Sequence, residues 1–217
     1  MTQAGSSFPW PYWPQQSPID LNLDDSIYFD APNDYFKEDY RDAPFAGDFE
    51  GEPGHANFVL SKPHSGKHPP HVMLAGQRAE LVKIHLHTPA EHYLGGRPPR
   101  GEIHLIHKIR RPFGGSELIV LGAFFVDDRL PEESPLPSGH RIDPRKLLPK
   151  GNDKKWFRYE GSLTSSPYCE NVTWLVFLDP VDTSSADFKK IRAFAHQSQR
   201  PLQPLCRRYV LRNFGPR

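Results

Sequence analysis

Cysteine is scarce in this chain of 217 residues: Cys169 and Cys206 allow one bridge at most, so no disulfide framework holds the fold. No stretch approaches the ~18 uninterrupted apolar residues of a membrane-spanning helix, which excludes an integral helical membrane protein. Neither sign of charge is in excess, with 27 Lys plus Arg against 26 Asp plus Glu and a formal net charge of +1. A nucleic-acid binder carries a basic surplus. Neither nucleic acid nor a membrane is therefore an expected partner; the oligomeric state is open, a homodimer being one option. Residues 1–16 lack a basic segment followed by an apolar run of ~7–15 residues. With no such leader, and nothing in the sequence that forces Cys169 and Cys206 together, the expectation is a reduced, cytoplasmic protein with both thiols free.

Helical periodicity is nearly missing too. The only fair helix is Ser184–His196, with Ser184 or Ser185 as N-cap and Phe188, Ile191, Phe194 and Ala195 at helical spacing. Proline is abundant instead, 24 residues, about twice average usage. Proline interrupts helices and central strands alike, which favours short strands and ordered loops. Leu81–His87 and Glu102–Lys108 read as half-polar strands. Leu118–Val126 and Val172–Leu178 are nearly continuous in apolar and β-branched residues, as strands buried on both faces are. Ser26–Phe29 and Ala56–Leu60 are shorter candidates, and Asp127–Lys155 reads as a charged, Pro-rich surface excursion. The fold class expected is mostly β: a single domain over residues 1–217 around a large, mainly antiparallel twisted sheet. Residues 1–50 should form a wrapping arm.

Histidine is the unusual feature, with 11 in the chain and five between His85 and His107. Side chains on a strand alternate faces. His85 and His87 therefore share one side, and Glu102, His104 and Ile106 share one side of the next strand. If the two strands pair antiparallel, three imidazoles converge, which is the donor set of a catalytic zinc with one open position. Spacing alone leaves this even with an ordinary polar strand pair. Glu102 suits a carboxylate that fixes a ligand's tautomer, or equally a plain cross-strand charge. His64, His68 and His71 read as solvated loop histidines, His107 as a core histidine or one that backs a ligand, and His92 as structural.

The run HLHTPAEHYLGGRPPRGEIHLIHK (His85–Lys108) resembles the zinc-site segment of the α-class carbonic anhydrases, in the short form of bacterial members. QSPIDL (Gln16–Leu21), GHANFV (Gly54–Val59), VLGAFF (Val120–Phe125), GSLTSSPYCENVTWLV (Gly161–Val176) and RPLQPL (Arg200–Leu205) follow the family's order. The resemblance implies the α-carbonic anhydrase fold and Zn2+ held by His85, His87 and His104. It implies reversible hydration of carbon dioxide to bicarbonate and a proton by zinc-bound hydroxide, with sensitivity to sulfonamides. Thr164 would accept the hydroxide proton and donate its own to Glu91, and Glu102 would back His104. Ile106, Val120, Leu163, Val172 and Trp174 would line the carbon dioxide pocket, and His55 would shuttle protons. Three departures stand out. Lys83 replaces the usual Gln whose carbonyl would accept from His85, and Pro53 and Phe58 replace amides that order water near His55; impaired proton export is the consequence expected. A zinc-hydroxide esterase with another substrate, or a non-catalytic binding protein on the same fold, are the alternatives.

Overall fold

The computed structural model describes residues 13–52, 54–62, 68–111, 115, 117–126 and 141–215. Strands are numbered in chain order. The large twisted sheet runs β11 (Arg141–Ile142), β4 (Phe45–Glu50), β5 (Asn57–Leu60), β7 (Gln77–His87), β9 (Gly101–Ile109), β10 (Leu118–Phe125), β13 (Val172–Phe177), β12 (Trp156–Gly161), β14 (Val210–Arg212), β2 (Ser26–Tyr28). At the far end of β7, β6 (His71–Leu74) pairs with it and carries β3 (Phe36–Asp39). A separate parallel ribbon joins β1 (Asp20–Leu21) to β8 (Tyr93–Leu94). The sheet is mixed: β10 with β13 and β14 with β2 are parallel, and the other pairs are antiparallel.

The histidine face follows from register. β7 and β9 pair antiparallel with His85 opposite His104 and His87 opposite Glu102. Ile84, Leu86, Ile103 and Leu105 fall on the opposite face and enter the larger apolar core. A bulge between Leu81 and Lys83 adds one residue to β7. An extra residue shifts the alternation, so Leu81 joins that core although it stands an even number of positions from His85.

Residues 20–50, expected as an arm, contribute β1 to β4 to the sheets. β2 lies within the expected Ser26–Phe29, and β4 pairs with the neighbouring β5, whereas β1 and β3 pair with the more distant β8 and β6. Of the excursion expected over Asp127–Lys155, residues 127–140 lie outside the described residues, while Ile142, Leu147 and Leu148 are buried core residues rather than surface. The helix is shorter than expected. α1 spans Ala186–Arg192, with Ser185 Oγ accepting from Phe188 N–H at 3.1 Å as its N-cap. His196 lies beyond it and bridges to His87. Phe194 stacks on Phe49 at 3.9 Å between ring centres, so tertiary contact takes the apolar residues that prolong the helical pattern. Cys169 and Cys206 are unbridged.

His107 points into the core as expected and is fully buried. Its Nδ1 lies 3.2 Å from Ile119 O, and Tyr40 Oη lies 2.7 Å from its Nε2. The carbonyl can only accept, so Nδ1–H donates to it and Tyr40 donates to Nε2. Burial pushes the His107 pKa down to about 3. The unfolded chain takes up a proton near ~6.5, so in that window it binds more protons than the native state. His107's contribution is complete above ~6.5 and is lost at up to ~1.4 kcal/mol per pH unit as pH falls toward about 3. Urea unfolding at pH 7 should show Tyr40→Phe destabilised by ~1–3 kcal/mol, because a buried acceptor loses its donor; an unchanged midpoint would remove the bond.

Candidate metal centre

The three imidazoles expected from spacing meet. Ring centres of His85, His87 and His104 are 4.9 to 5.0 Å apart in all three pairs. His104 Nδ1 lies 3.1 Å from His85 Nε2. Two ring nitrogens so close are accommodated only with a proton or a cation between them. His87 Nδ1–H donates to Ser198 O at 3.1 Å, which leaves its Nε2 as a lone-pair donor, and that atom is buried with no hydrogen-bond partner. His85 Nδ1 is likewise buried and unpartnered, and Lys83 supplies no acceptor.

Glu102 is fully buried and organises the far side. Its Oε2 accepts from the backbone N–H of Glu91 at 3.1 Å and of His92 at 2.9 Å, and its Oε1 accepts from His92 Nδ1 at 2.8 Å. His104 Nε2 stands 3.0 Å from the same Oε1, too poorly aligned for a full hydrogen bond but within ion-pair reach. That contact puts the His104 proton on Nε2 and turns Nδ1 toward His85. The chain of contacts continues from His92 Nε2 to Tyr159 Oη at 2.7 Å and on to Ser17 Oγ at 2.8 Å. Gly122, opposite His104 on β10, makes room for the Glu102 carboxylate: a Cβ there would sit 2.7 Å from Glu102 Oε1. VLGAFF carries that signal in the sequence, but only the register reveals its purpose.

Electrostatics favours neutral donors at His85 and His87 and a charged carboxylate at Glu102. Burial, reinforced by His87 and His104, holds His85 well below the usual histidine range. Burial lowers His87 to about 3. Burial also opposes a charge on His104, yet Glu102 outweighs it and the net direction is up. For Glu102, burial pushes the pKa up, but His92 and His104 outweigh it and the carboxyl lies well below its ordinary range.

Glu91 Oε1 accepts from Arg200 N–H at 3.2 Å. Its Oε2 is buried without a hydrogen-bond partner, 3.4 Å from His87 Nε2 and 4.0 Å from His104 Nδ1. The Thr164 bond that the resemblance implies is therefore not formed in this structure, although both residues line one cavity of about 530 Å3. Ile106, Val120, Leu163 and Trp174 line it too, and the Trp174 ring lies 4.9 Å from His104. Val172 does not reach it. It shares the Trp174 face but pairs with Leu118 and Gly161 at the strand end, two residues away, about 6.6 Å along the strand.

His55 lines the cavity mouth. Phe58 does not obstruct it: Phe58 pairs with Ile84 and is buried in the core on the opposite face, while Asn57 faces the cavity. Strand alternation decides this, since a shift of one residue exchanges faces. Pro53 and His64 lie outside the described residues. His71 belongs to β6 rather than a loop, with Nδ1 3.0 Å from Pro69 O. His196, unassigned by the sequence reading, also lines the cavity, its ring 4.8 Å from His85.

A family model of eukaryotic-type carbonic anhydrases matches residues 6–214. The chain belongs to the carbonic anhydrase family. A carbonic anhydrase of Nostoc sp. is 31% identical over 151 residues, 63% of this chain and 55% of the relative, so the match spans about half that relative's length. The Photobacterium profundum α-carbonic anhydrase superposes with a TM-score of 0.70 at 26% identity, covering 91% of this chain and 88% of that one. The α-carbonic anhydrase of Thermovibrio ammonificans, in complex with the inhibitor sulfanilamide, superposes at 0.65 with 30% identity, covering 91% and 86%. As a carbonic anhydrase domain, the chain holds histidines that can bind the metal this family normally carries.

Proposed function

We propose that the chain reversibly hydrates carbon dioxide to bicarbonate and a proton, with zinc held by His85 Nε2, His87 Nε2 and His104 Nδ1. The observation that supports this most is the convergence of three imidazoles whose outer nitrogens are set by Ser198 O and Glu102 or left free. When bound, zinc would supply an acidified water as nucleophile at neutral pH, the chemistry for which carbonic anhydrases are the standing example. Ile106, Val120, Leu163 and Trp174 give an apolar wall in the cavity that the three histidines line, suited to a substrate with little to hydrogen-bond. Glu91 Oε2 is the acceptor for a Thr164 hydroxyl that turns inward, a role that leaves Thr164 able to accept a proton but not to donate one to the reacting centre.

An unsubstituted sulfonamide retains an N–H for Thr164, so sulfanilamide should inhibit hydration and bind zinc-loaded protein stoichiometrically by calorimetry. Active protein indifferent to it would argue for a differently built pocket. His55 at the mouth is the proton exporter. His55→Ala should lower kcat at low buffer by roughly 10²-fold, the low end of general acid–base contributions, with recovery on adding imidazole. Its kcat/KM should hold, because attack on carbon dioxide precedes proton release. Unchanged turnover in dilute buffer would assign export elsewhere.

A further inference from the structure

A fourth imidazole stands on the metal face. After α1 the chain lies along the end of β7: His196 N–H donates to Leu86 O at 2.6 Å, Thr88 N–H donates to His196 O at 2.9 Å, and His196 pairs in parallel with His87. Paired residues of a ladder project to the same side of a sheet, so backbone bonding sets the His196 ring beside the ligands. It lies 4.8 Å from His85, nearly parallel at 14°, and 4.9 Å from His87. Its Nε2 is 3.1 Å from Ala56 O. A carbonyl only accepts, so Nε2 carries the proton and Nδ1 keeps its lone pair. Ser198 O prepares His87 in the same way.

The ligand-capable atoms of His85, His87 and His196 lie within 4.8 Å of one another, and His104 is not in that group. We infer that His85, His87 and His196 form a second, outer seat for a divalent transition metal, alternative to the inner seat that His104 completes. The inference rests on reading the inner seat as a zinc site. Both seats use His85 and His87, so one ion occupies either, and the stoichiometry stays at one. Imidazole donors suit zinc and cobalt alike. His104 is buried and backed by the Glu102 carboxylate, which strengthens a ligand. His196 is only half-buried, is backed by a carbonyl, and lies 5.4 Å from His55 at the mouth. The inner seat is the tighter one, and an entering ion meets the outer seat first.

Titration of metal-free protein with Co2+, followed by visible absorption and by competition with a chelator of known affinity, tests this. Wild type should bind one equivalent tightly, and His196→Ala should stay within about tenfold of it. His104→Ala should still bind one equivalent, more weakly and with an altered spectrum. His104→Ala/His196→Ala should be weaker than His104→Ala by at least the ~100-fold that loss of a supporting partner can cost; it also isolates His196 from Glu91, which remains near His87 in both variants. His104→Gln replaces His104→Ala throughout if circular dichroism shows the latter unfolded. A single variant that binds no better than the double variant overturns the outer seat while leaving the inner one intact. Wild type that binds no Co2+ overturns both.

Discussion

His87→Ala leaves the purified protein without tightly bound zinc and reduces carbon dioxide hydration to the rate of buffer alone. Two imidazoles are too few protein ligands for a catalytic zinc, which uses three. His87 is a demanding test because its Nδ1–H is fixed on Ser198 O and its Nε2 is buried with no hydrogen-bond partner. Among the described residues nothing hydrogen-bonds to that nitrogen. Elemental analysis after dialysis should fall from one zinc per chain to nearly none, while circular dichroism stays that of the parent. Stoichiometric zinc in the variant would remove His87 from the site.

Thr164→Ala is expected to keep its zinc and lose roughly 10²-fold in hydration rate, the scale of one positioned hydrogen bond made in the transition state. Thr164 and Glu91 line the same cavity, and Glu91 Oε2 is buried without a hydrogen-bond partner. A buried carboxylate oxygen left unpaired is costly, so the hydroxyl that satisfies it gains both an orientation and a fixed direction for its proton. Zinc content separates this outcome from metal loss. A variant as fast as the parent at equal zinc would show that the hydroxyl plays no part.

The histidine face was legible because it depends on the shortest-range rule available. Alternation put His85 with His87 and Glu102 with His104, and antiparallel pairing set His85 opposite His104. Carrying the family's order onto the chain located Leu163 and Trp174 beside the histidines. Other features depend on pairings that no local pattern encodes. Val172 and Trp174 share a face, but the register with Gly161 and Leu118 sets how far along it each one sits. Phe58 counts correctly from His55 in GHANFV, yet its pairing with Ile84 turns it into the core. His196 follows Phe188, Ile191, Phe194 and Ala195 in helical rhythm, with no Gly or Pro to stop the helix before Pro201. Only the bridge to His87 reveals it as part of the site. The bulge between Leu81 and Lys83 is invisible in the same way.

The central claim is that this cavity hydrates carbon dioxide through metal held by His85, His87 and His104. Stopped-flow hydration on protein of measured zinc content tests it most directly. Activity should rise in proportion to zinc up to one equivalent per chain, vanish on chelation and return on readdition. Fully loaded, folded protein that hydrates carbon dioxide no faster than buffer would contradict the account.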